Sequence, residues 1–181
     1  MSIQFQAHTR KPIMEASKRA QPQPLPFQLS LRIRHPSIDP KSISNELRIE
    51  PEYSFQAGQP RHSRSSVMRG AVHTESYWLA ALNPAAWFEN LPFPEPSRFA
   101  IPQKHVEAAV GQNLTWALSL CAMRLGKSHG GLLQKIHSEG GEISLLVTLS
   151  PEAVGSFNLE PEVSRICGEL GITLEIEMTS D

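Results

Sequence analysis

Gly126-Lys127-Ser128 is the run whose residue types come nearest to a reaction, because a Gly-Lys-Ser sequence closes the phosphate-cradling loop of many nucleotide-binding proteins. That loop also needs a glycine five residues before the Gly-Lys pair. Position 121 is cysteine, and the run follows a helical pattern instead of a strand, so no phosphate loop is expected. The seven histidines form no HExxH or other short metal pair; His129 and His137, eight residues apart, would sit about 80° from one another on an ideal helix. Neither cysteine lies in a glycine-flanked turn, and no GxSxG or GxGxxG occurs. Neither a cofactor nor a metal is expected. The remaining acid-base option is a carboxylate such as Glu50, Glu52 or Glu75, the last of these near His62 or His73, which leaves a hydrolase or nuclease as the alternative reading. Asp39 is one of only two aspartates, but its place before Pro40 makes it a helix cap first.

Binding chemistry is better represented than catalysis. From Tyr53 to Thr74 the chain is polar and irregular, with Gly58, Pro60 and Gly70 marking turns, and it carries Arg61, His62, Arg64, Arg69 and His73 with no carboxylate before Glu75. A long loop of this kind in a compact domain is commonly functional, and guanidinium forks suit carboxylates or phosphates. The following segment interleaves Pro84, Pro92, Pro94, Pro96 and Pro102 with Trp87, Phe88, Phe93 and Phe99, and reads as an aromatic lid across the fold. The expected binding residues are therefore Arg61, His62, Arg64, Arg69, Trp87 and Phe93.

These stretches need a scaffold. Phe27, Leu29, Leu31 and Ile33 alternate with polar residues, giving a half-buried strand that ends at His35-Pro36. A short helix capped by Asp39 follows, with Ile43 and Leu47 facing inward, and Ser76–Leu82 is the next strand, with Tyr77 and Trp78 on opposite faces. Helical spacing runs from about Pro102 to Leu125, breaks at Gly126–Gly131, and resumes briefly at Leu132–His137. Glu142–Leu149 and Ile172–Met178 each alternate, with only Leu146 out of step. Between them Val163, Ile166, Cys167 and Leu170 make one helical stripe, with Asn158 as its cap and Gly171 as its stop. Strands with one wet face need helices on the other, so the expected fold is α+β: a four-stranded antiparallel or mixed sheet with helices on one face, whose two split βαβ halves suggest a ferredoxin-like relative.

The length suits one domain, residues 27–181, preceded by a loosely ordered arm over 1–26 that is rich in proline and charge. The amino terminus has no apolar signal region, no window is apolar enough to span a membrane, and two cysteines on apolar helix faces read as buried free thiols, all of which place the protein in the cytoplasm. Residues 1–74 hold 11 Lys and Arg against 5 Asp and Glu, a balance of +6, while residues 75–181 hold 6 against 13, a balance of −7. Either this asymmetry steers a charged partner or folding intermixes the two halves.

The segments LRIRHPSIDPKSISNELRIEP, QAGQPR, ESYWLAAL, GEISLLVTL and ELGITLEIEM together resemble domain of unknown function 4279, a family of small, mainly bacterial proteins, over about residues 27–179. The resemblance implies a fold and a bacterial origin; the family has no established catalytic residues to carry over. The arm and the proline-rich insertion depart from the family pattern. The function expected from all of this is a non-enzymatic, cytoplasmic protein-binding module, a toxin-neutralising immunity protein being one concrete form, whose partner is another protein with an acidic surface. Nucleic acid is the weaker partner, because residues 54–74 contain only Phe55 among aromatics and the chain is close to neutral.

Overall fold

The computed structural model describes residues 27–62, 67–83, 113–150 and 158–178. Its centre is β1 (Phe27–His35), which is paired antiparallel on one side with β5 (Ser76–Leu82) and on the other with β6 (Glu142–Leu149). The register sets Ile33 between Trp78 and Ile143, Leu31 between Ala80 and Leu145, and Leu29 between Leu82 and Val147. Because side chains alternate across a strand, these nine residues share one face, and all of them are buried. Each fully buried Leu or Ile among them contributes roughly 1.5–3 kcal/mol, which makes this register hard to shift by one residue.

Three helices among the described residues cover that face. α1 (Pro40–Leu47) begins at Asp39, whose carboxylate accepts from the Lys41 N–H at 3.0 Å, and it buries Ile43 and Leu47 as expected. The Trp78 indole donates to the Ser44 hydroxyl at 3.0 Å, which ties α1 to β5 and satisfies the one polar atom of a fully buried ring. α2 runs unbroken over Leu114–Ser138, where a break at Gly126–Gly131 and a separate short helix were expected. The glycines face α3 (Pro161–Leu170): a Cβ on Gly126 would lie 3.2 Å from Ile166 Cγ2, and one on Gly130 would lie 3.6 Å from Leu170 Cδ2. Close helix packing is what they serve, and it outweighs their poor helix propensity. The Asn113 carboxamide caps α2 by accepting from Trp116 N at 3.2 Å; the expected helix over 102–112 lies outside the described residues. Glu160, not Asn158, occupies the cap position of α3, since Pro161 sets the first helical residue and Asn158 instead bonds through its backbone to the Thr115 hydroxyl.

The main sheet has five strands rather than four, in the order β2-β5-β1-β6-β7, because β2 (Tyr53–Phe55) adds to the outer edge of β5. A three-residue strand is too short to show an alternation in sequence. β7 (Ile172–Met178) lies parallel to β6 and directly beside it, so the β6-α3-β7 unit is not split by a third strand. This departs from the ferredoxin-like arrangement. β6 is buried on both faces from Ile143 to Val147, contrary to the single wet face expected, whereas Ile176 and Met178 at the far end of edge strand β7 are 48% and 73% exposed. Both cysteines are free and buried as expected, and burial pushes both thiols up. No helix among the described residues is long and apolar enough to cross a membrane.

Candidate binding surface

The three described helices cover one face of the sheet, and the same alternation that buries Trp78 and Ile33 there puts Tyr77, Arg32 and Arg34 on the other. Register places Tyr53 opposite Leu79 and Phe55 opposite Tyr77. The result is an aromatic cluster: the Phe55 and Tyr77 rings stack at 5.3 Å, Tyr53 meets them edge-on at 5.7 and 5.9 Å, and the His73 imidazole lies flat on Phe55 at 3.6 Å. Tyr53 is 56% exposed. Burial within the cluster pushes the Tyr77 hydroxyl up, against the pull of Arg32 and Arg34.

Beside the rings runs a ladder of ion pairs. Arg34 donates from Nε and Nη2 to Glu75 Oε1 at 3.1 and 2.8 Å and from Nη1 to Glu142 Oε2 at 3.1 Å. Arg32 donates to Glu175 and, at 3.3 Å, to the Ser144 hydroxyl. The Ser144 hydroxyl first, and then Arg32, hold the Glu175 carboxyl below the usual carboxylate range. The two arginines are thus neutralised by carboxylates from three other strands or turns, and Glu177 adds a further negative charge on the same face of β7.

Among the described residues, the stretch expected to be an irregular loop over 53–74 forms β2 and a two-stranded ribbon, β3 (Pro60–His62) with β4 (Val67–Val72). The chain leaves β2 through a turn at Gln56–Gln59, where Gly58 takes a φ of +82° that a side chain would resist. At the root of the ribbon Gly58 N donates to His73 O at 2.8 Å and His73 N donates to Gln59 O at 3.0 Å, while Ala57 N donates to the buried Ser76 hydroxyl at 3.0 Å. Turn hydrogen bonds and the Phe55–His73 stack therefore fasten the ribbon to the sheet.

Of the residues expected to bind, Arg61, His62 and Arg69 are brought together on this ribbon. Arg61 is exposed on β3, His62 stands opposite Val67 in register, and Arg69 lies on β4. Arg64, Trp87 and Phe93 lie outside the described residues. The aromatic cluster at the ribbon's root was missed in sequence, although the Tyr-x-Phe spacing of 53 and 55 was its signal. Of the groups expected for acid-base work, His73 is stacked on Phe55 and Glu75 accepts from Arg34.

A different histidine sits near a carboxylate. His35 is 5% exposed, and its Nδ1 accepts from the N–H groups of Ser37 and Ile38 at 3.1 and 2.9 Å, which assigns the proton to Nε2. Nε2 lies 3.5 Å from Glu139 Oε2 with no hydrogen-bond partner. This imidazole closes the turn between β1 and α1, a structural duty that its ring nitrogen discharges fully. Among the described residues no group of three or more His, Cys, Asp or Glu side chains gathers where a metal ion could sit. The chain matches no protein-family model, no curated protein and no solved structure.

Proposed function

We propose that the chain is a non-enzymatic, cytoplasmic protein-binding module that docks through the β3–β4 ribbon and the aromatic cluster at its root. The observation that carries this reading is the exposed Tyr53 ring, backed by Phe55 and Tyr77 and adjoining a ribbon that bears Arg61 and Arg69. Tyrosine and arginine dominate the energetics of protein interfaces, because each offers a large contact area with few rotamers or a rigid donor fork. A partner with an acidic surface fits, since Arg32 and Arg34 of the sheet are already paired with glutamates while Arg61 stands exposed on the ribbon, whose second strand carries Arg69. An immunity protein against a toxin is one form of such a module, and the resemblance to domain of unknown function 4279 brings no activity that would argue otherwise.

Sheet-borne aromatics also stack nucleic-acid bases in some RNA-binding modules. Here residues 60–72 of the ribbon contain no Phe, Tyr or Trp among the arginines and the chain is close to neutral, so a protein partner is favoured. Affinity capture tests the reading with three baits: wild type, Tyr53→Ala, and a variant with Arg61, Arg64 and Arg69 changed to Glu. The expected outcome is a partner held by wild type, weakened by loss of Tyr53 and lost from the charge-reversed bait. Identical recovery by all three would remove this surface from consideration.

A further inference from the structure

On the helical side of the molecule, away from the sheet face, a groove of about 460 Å³ lies between the end of α1 and the middle of α2, lined by Glu46, Leu47, Arg48, Ile49, Arg124, Ser128 and His129. Arg124 and Ser128 are one turn apart on α2 and so share a stripe. Arg48 enters from the other wall as the residue that ends α1. Among the described residues neither guanidinium has a hydrogen-bond or ion-pair partner, in contrast to Arg32, Arg34 and Arg165, each of which is paired.

We propose that this groove binds the phosphate group of a small phosphomonoester, held by the Arg48 and Arg124 forks and the Ser128 hydroxyl, with the organic part against Leu47 and Ile49. Two observations support a ligand over a mere helix-end charge. Arg48 has a φ of 57°, a conformation that Gly or Asn adopts at lower cost, so the turn alone gives no reason for arginine. The carbonyl end of α1 does attract cations, yet a helix terminus carries roughly half an elementary charge, and two guanidinium groups exceed what it needs. Among the described residues Glu46 is the one carboxylate that lines the groove, and it forms no ion pair with either arginine. Guanidinium forks match the oxygen geometry of a phosphate in two parallel hydrogen bonds each.

His129 reports on the site. Burial first, and then Arg124 and Arg48, push its imidazole below the usual histidine range, with Glu46 acting the other way. A bound dianion reverses the balance, so occupancy raises the His129 pKa. The experiment is an NMR titration of the folded full chain with phenyl phosphate, in which the imidazole signal is assigned using His129→Gln. A saturable shift and an upward move of the His129 titration are expected. Arg124→Gln and Arg48→Asn, the latter chosen because Asn tolerates the left-handed backbone, should each weaken binding by roughly tenfold. Lys127→Gln, which removes one positive charge from the α2 face turned toward α3, should leave affinity unchanged. The proposal is overturned if no saturable shift appears at millimolar phenyl phosphate, or if Lys127→Gln weakens binding as much as Arg124→Gln does. Equal binding of benzoate would overturn the assignment to phosphate.

Discussion

Gly171 is constrained twice over. It ends α3 at a φ of +65°, and a Cβ placed there would lie 2.5 Å from the His137 ring. Alanine should therefore lower stability by about 1–2 kcal/mol, mainly through the left-handed backbone, and asparagine should cost less. Denaturant melts of the two variants check this, and equal losses would show that the contact with His137 dominates. The Asp39 cap and the opposite facing of Tyr77 and Trp78 belong with Gly171 as features readable in sequence, because each obeys a rule spanning only a few residues. His35 was not readable. Its role depends on folding back onto Ser37 and Ile38 while Gly141 packs against the ring, where a Cβ at 141 would come within 2.8 Å of His35 Cδ2.

At the scale of elements, α2 separates propensity from packing. Its glycines look like a helix break in one dimension, and only the proximity of α3 shows that two of them serve an interface. Gly131 meets nothing within 4 Å of its Cβ direction, so Gly131→Ala should gain roughly 0.5–1 kcal/mol from backbone entropy. Gly126→Ala has the same intrinsic gain but meets Ile166 Cγ2 at 3.2 Å, and it should gain less or lose stability. Urea midpoints for the pair decide the matter; equal gains would mean that the α2–α3 contact is loose. The ribbon makes the same point for strands. Residues 60–72 have no strict alternation, and their pairing is recognisable only from the turn at Gly58 and the hydrogen bonds at His73.

Across the whole molecule, the charge asymmetry between the two halves of the sequence is partly consumed by folding. Arg32 and Arg34, from the basic half, bond to Glu75, Glu142 and Glu175 from the acidic half, because β1 lies between β5 and β6. The Arg32–Glu175 pair has a definite pH signature. With its folded-state pKa lowered, Glu175 contributes stability above the unfolded carboxylate value of roughly 4.3 and loses it as pH falls through the lower folded value. Glu175→Gln should thus be less stable than wild type at neutral pH by about 0.5 kcal/mol, with the gap closing in acid. A gap that persists at low pH would assign the loss to packing rather than charge. From the sequence alone came the α+β class, the one-sided helical cover and most inward-facing residues, since these follow from periodicities of two and 3.6 that any local window contains. Tertiary structure alone decided the strand order, the fifth strand, the continuity of α2 and the gathering of Tyr53, Phe55, His73 and Tyr77. Each of these depends on contacts between residues distant in the chain or on hydrogen bonds between backbones, which carry no residue pattern to read.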